Sequence, residues 1–225
     1  MGDITISINQ LADFIKATEN KKLRIIKEQK KANTFKIAYY QLAKGSIKKT
    51  LANQGVRDHV NRAMDILIKK KPEKKRQISD RIVSLEALQR FTSYRVPRIL
   101  SLPGITFLNQ KDYNNRMTIE DVNIIVAPDL IYTVCIDGKE ILGGIKLHVS
   151  KSGAFDLQQQ QFIASGIFQY LKTNVAQADQ SVDPEWCISL DIFGNGYVPV
   201  SLSNADLILR DPDIYKEIKL LWNAA

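Results

Sequence analysis

The residues of this chain best suited to chemistry are an aspartate just before one strand-like run, Asp129, and a lysine inside the next, Lys146. Other chemistries fall away on residue supply. There are 2 histidines, His59 and His148, and neither lies near a GxSxG turn. The chain has no GxxxxGK[ST], no HExxH and no GxGxxG after a strand. Its 2 cysteines, Cys135 and Cys187, sit singly in apolar runs and read as small buried hydrophobes, not as metal ligands. Carboxylate chemistry remains. A carboxylate can hold Mg²⁺, which needs oxygen ligands and keeps several of its waters; a nearby lysine can orient the attacking water and stabilise the charge that develops. The chemistry expected of such a pair is metal-assisted hydrolysis.

The elements that must position the pair are strands. Residues 122–126, 130–136 and 141–149 are rich in β-branched and aromatic side chains, and Asp137-Gly138 is a hairpin-turn dipeptide between the last two. Side chains two apart on a strand share a face, so Gly144, Lys146 and His148 point one way while Ile145, Leu147 and Val149 point the other. His148 on the lysine's face can bind phosphate, serve as a weak general acid, or be held in place by hydrogen bonds. Asp156 can cap a helix over 157–172 that carries Gln158 to Gln161 in its first turn; residues 185–193 and 197–202 then read as a hairpin around Gly194-Asn195-Gly196. Residues 204–213 and 214–222 restart helix.

Pro128-Asp129, a turn, a strand bearing Lys146 and then a helix resemble the core of the PD-(D/E)XK nuclease-like superfamily. The resemblance covers the C-terminal half. It implies a restriction-endonuclease-like mixed sheet flanked by helices, a divalent metal held by Asp129, and Lys146 placing the water. The superfamily's second acid stands two residues before the lysine. Here that residue is Gly144, so the pattern reads PD...GIK. The metal's further ligands would then be backbone carbonyls, water, a glutamine of the 158–161 run, or Glu86 from the helix preceding the sheet. Glu86 can equally form a surface pair with Arg90, four residues on.

The first hundred residues differ in kind. They carry 23 Lys and Arg against 9 Asp and Glu, a balance of +14; residues 101–225 carry 9 against 15, a balance of −6. Helical spacing recurs from the cap at Ser7 through 23–31, 35–51, 56–70 and 78–94, with the last expected to bury Ile78, Ile82, Leu85, Leu88 and Phe91. Between two of these helices Pro72 interrupts a basic run, Lys69, Lys70, Lys71, Lys74, Lys75 and Arg76, which suits contact with phosphate or a solvated loop. The expected organisation is α/β (α+β), with a basic helical region over 1–100 and a nuclease-like α/β domain over 101–225. The expected function is a metal-dependent nuclease, with Mg²⁺ or Mn²⁺, acting on DNA or RNA, DNA favoured. The alternative is an inactive nuclease-like subunit that binds nucleic acid or a protein partner, including a second copy of itself. No run of about 18 apolar residues could span a bilayer, and the first residues lack the order of a signal peptide, so a cytoplasmic protein is expected.

Overall fold

The computed structural model describes residues 3–30, 39–200, 209 and 211–225. Of the helix expected over 204–213, residues 204–208 and 210 lie outside these, as do Phe35 and Ala38 of the stripe expected over 35–51.

Local signals set the start of the chain. A three-residue strand, β1 (Thr5–Ser7), runs into helix α1 (Ile8–Phe14), whose N-cap Ser7 accepts a hydrogen bond from the amide of Gln10. The Ser7 amide donates to Gln29 Oε1, tying the cap to helix α2 (Glu19–Lys30). Helices α3 (Gln41–Ala52), α4 (Asp58–Lys69) and α5 (Lys75–Ser93) follow.

The sheet half comprises β2 (Thr106–Phe107), β3 (Arg116–Ile119), β4 (Val122–Ile125), β5 (Leu130–Ile136), β6 (Lys139–His148), helix α6 (Leu157–Asn174), β7 (Gln180–Asp191), β8 (Gly196–Pro199) and helix α7 (Pro212–Ala224). Two mixed sheets result, in the orders β1-β4-β3 and β2-β5-β6-β7-β8. In the larger sheet β6 and β7 are parallel, joined by the α6 crossover, and the other neighbours are antiparallel.

Alternation along the central strands feeds two cores, one on each face. Ile131, Leu142 and Cys187 join the core built by α1, α2, α6, α7 and the small sheet. Leu130, Tyr132, Val134, Ile145, Leu147, Ile188 and Leu190 join the core under α3, α4 and α5. Three layers, helix on sheet on helix, are the consequence. Residues from both sides of position 100 contribute to each core: β1 pairs with β4, and α3 to α5 cover the large sheet.

Three expectations shift. The stretch 177–184, which precedes the strand expected over 185–193, contains the start of β7: Gln180 to Val182 pair with Glu140 to Leu142 before a bulge restores register at Cys187 opposite Gly144. The strand expected over 197–202 is described only as far as Pro199. Helix α5 is rotated from the expected stripe, burying Ser84, Ala87, Leu88 and Phe91 and leaving Ile78 and Ile82 at 37% and 54% exposure.

Candidate functional site

The β5–β6 ladder places Asp129 opposite Lys146. Leu130 pairs with Ile145, and one step further the Asp129 amide donates to the Ile145 carbonyl at 2.7 Å. Asp129 Oδ2 accepts from the amide of Leu147 at 2.8 Å, so the carboxylate caps the ladder where the strands part. Its Oδ1 is 3.0 Å from Lys44 Nζ, delivered by α3 from the opposite layer. Lys146 Nζ donates to the Ala127 carbonyl at 2.6 Å.

The turn that presents Asp129 is held from several directions. Ala127 has φ +41°, a left-handed value uncommon outside glycine, and its amide and that of Val126 both donate to the Asn115 carbonyl. Gln110 donates from Nε2 to the Pro128 carbonyl, and Lys48 Nζ donates to Gln110 Oε1 at 2.9 Å. Lys44 thus pairs with Asp129, while Lys48 and Lys146 hold the turn that presents it through Gln110 and the Ala127 carbonyl. Burial pushes the Lys146 ammonium down to about 8; Asp129 opposes this, and Lys44 and Lys48 add to it.

Gly144 is explained by packing on both sides of the sheet. A Cβ there would meet Ile167 Cγ2 at 3.0 Å, Leu171 Cδ1 at 3.2 Å and the Leu130 carbonyl at 3.3 Å. Its neighbour Gly143 faces the other way, where a Cβ would lie 2.6 Å from the Tyr132 ring and 2.8 Å from Trp186. The double glycine lets β6 pass between α6 and the Tyr132–Trp186 contact. The space an acid would need at position 144 belongs to the α6 core.

The remaining expected site residues are engaged elsewhere. Glu86 lies 2.6 Å from Lys151 and 3.3 Å from Arg90, which hold its carboxyl below the usual range, the Lys151 hydrogen bond foremost. His148 stacks on Phe155 with ring centroids 4.0 Å apart. Its Nε2 donates to the Gly153 carbonyl at 2.9 Å, which leaves Nδ1 of the neutral ring to accept from Asn9 Nδ2 at 3.3 Å. Burial pushes its pKa down, against the nearby Asp191 carboxylate and the Gly153 carbonyl. Among the glutamines, Gln159 completes the capping box with Asp156 and bonds the Ala12 carbonyl, while the buried Gln160 binds the Gly196 carbonyl and both nitrogens of Asn195.

These donors do not fit a Mg²⁺ or Mn²⁺ site. One Asp129 oxygen faces an ammonium and the other an amide, Glu86 is held by Lys151 and Arg90, and position 144 lies against α6. Among the described residues no group of three or more His, Cys, Asp and Glu side chains could hold a metal ion. Lys69, Lys70, Lys71, Lys74, Lys75 and Arg76 are all exposed where α4 passes into α5. No helix among the described residues is long and apolar enough to cross a membrane.

Sequence reasoning missed Lys44, Lys48 and Asp191. The first two stand four apart on an amphipathic helix, a spacing that any solvated face also shows. Asp191 is wholly buried at the end of β7 and accepts from the amides of Phe155, Phe193 and Gly194 at 2.7, 2.9 and 3.1 Å. Its signal was an acid closing an apolar run just before a Gly-Asn-Gly turn. Comparison with protein-family models, curated proteins and solved structures finds no match.

Proposed function

We propose that this protein binds nucleic acid through its basic helical layer, on a restriction-endonuclease-like core that does not cut at Asp129. The observation that carries the reading is the ion pair between Lys44 and Asp129. The basic layer itself, rather than a metal, meets the acid at the end of the sheet. Around that point Lys48 and Lys146 add positive charge, and the exposed run from Lys69 to Arg76 lies on the same layer. Phosphate backbones are recognised by clustered cations of this kind.

The second reading is a metal-dependent nuclease. It is favoured by one specific observation, the register that sets Asp129 across from Lys146 between β5 and β6, followed by α6 and β7. One set of assays separates the two. Labelled DNA and RNA are titrated with the protein by fluorescence anisotropy at several salt concentrations, and plasmid and oligonucleotide cleavage is followed with Mg²⁺, Mn²⁺ and EDTA. The expected result is binding whose log affinity falls linearly with log salt, and no cutting. Replacing Lys69, Lys70 and Lys71 by Gln should lower the slope by up to about 3 if each neutralises one phosphate. Metal-dependent cutting that Asp129→Ala and Lys146→Ala both abolish would establish the nuclease instead. Binding of neither DNA nor RNA at any salt concentration would overturn the nucleic-acid reading and leave a protein partner.

A further inference from the structure

A cleft of about 590 Å³ opens between α5 and the connection that follows β6, lined by Tyr39, Tyr40, Val83, Ser150, Lys151 and Ser152. Its size is that of a small-molecule site. Two aromatic rings stand at one wall, Tyr39 and Tyr40, with centroids 6.4 Å apart and planes inclined by 54°. Tyr39 is 41% exposed, a large fraction for an aromatic residue, and the Arg76 guanidinium lies 5.1 Å from its ring centroid.

The wall is firmly placed. Tyr40 has φ +65°, and its amide donates to Asp80 Oδ1 at 2.8 Å. Its hydroxyl accepts from the Lys151 amide at 3.1 Å, and its ring lies 6.1 Å from that of Phe193. A non-glycine residue held in a left-handed conformation by such contacts is the kind of local strain that accumulates at functional positions. Chemically the cleft offers a partly exposed aromatic ring flanked by Arg76, serine hydroxyls, and the Lys151 ammonium, which Glu86 holds at 2.6 Å. The basic run at the start of α5 leads up to it. Proteins that hold single strands combine these features, a cationic track and rings on which unpaired bases stack. Bases in a duplex are already stacked on one another and present no free face to Tyr39.

We infer that this cleft takes an unpaired nucleotide of a single-stranded nucleic acid, its base stacked on Tyr39 and its backbone following the exposed basic run that leads up to the cleft. The inference rests on the nucleic-acid reading above and names the form of substrate it selects.

The test uses the full chain, a labelled oligothymidylate and a labelled duplex of equal length. Wild type should bind the single strand more tightly than the duplex. Tyr39→Ala should weaken single-strand binding about ten-fold while leaving duplex binding unchanged, and Tyr39→Phe, which keeps the ring, should restore it. Oligonucleotides carrying 5-iodouracil, irradiated in the complex and digested for mass spectrometry, should cross-link to Tyr39. Equal affinity for both forms, an unchanged Tyr39→Ala variant with an intact circular dichroism spectrum, or cross-links confined to other residues would overturn the single-strand inference while the nucleic-acid reading stood. Binding of neither probe would overturn both.

Discussion

Lys146→Met isolates the cost of holding an ammonium beneath the Asp129 turn. In the unfolded chain this lysine keeps its proton to about 10.5, and in the folded protein to about 8. Between those values the unfolded state binds more protons, so stability must rise with pH across that window and level off on either side. The gap corresponds to roughly 3 kcal/mol as an upper bound, reduced by solvent screening because the side chain is only half-buried. The assay is urea unfolding of wild type and Lys146→Met at closely spaced pH from 7 to 11, with the difference in unfolding free energy plotted against pH. Tyrosines and other lysines that titrate here are common to both proteins and cancel. A constant offset is expected from the lost bond to the Ala127 carbonyl and from methionine packing, so only the slope is diagnostic. Wild type should gain relative to the variant by about 1–3 kcal/mol between pH 8 and 10.5. Parallel curves would refute the burial argument, and a relative loss by wild type would reverse its sign.

Gly144→Glu, which restores the acid of the resembling motif, should destabilise the fold by more than about 2 kcal/mol in denaturant melts and yield no metal-dependent cutting, because its side chain enters the Ile167–Leu171 packing. Asp191→Ala should cost more than about 3 kcal/mol by leaving three amides unpaired, measurable as a lowered denaturation midpoint. For His148 the folded pKa lies below the unfolded one, so as pH falls through the usual histidine range the unfolded state takes up the proton first and stability drops; a His148→Gln variant should show a shallower loss between pH 7 and 5.

The central strands were legible because they carry local signals. Asp137-Gly138 fixes the hairpin, β-branched runs fix its arms, and the offset of Asp129 from Leu130 follows from that register. Helix α6 was legible through its cap Asp156 and the apolar residues spaced behind it, though not the return bond from Gln159. What the sequence could not convey was set by distant partners. Lys44 reaches Asp129 across 85 positions because of how α3 lies on the sheet. Ile78 and Ile82 have the spacing of a buried stripe, yet small residues, Ser84 and Ala87, face the core because α3 and α4 approach α5 on that side. Gly144 read as a missing ligand, whereas its role is steric, and only the position of α6 reveals that.

The meeting of α2 and α7 bears on how the chain could be rewired. Lys22 pairs with Glu217 at 2.7 Å across 195 positions, and Lys30 Nζ donates to the Trp222 carbonyl at 2.7 Å. Asp3 and Asn223 line one shared cleft, so the first and last described elements lie side by side. A circular permutant that links these ends by a short flexible peptide should keep both cores, since no strand pairing crosses the join. New ends opened in the exposed connection between α4 and α5 would fall inside the basic run. Such a protein would fold as before while its cationic track was cut in two, so recognition could be dissected without replacing a single side chain.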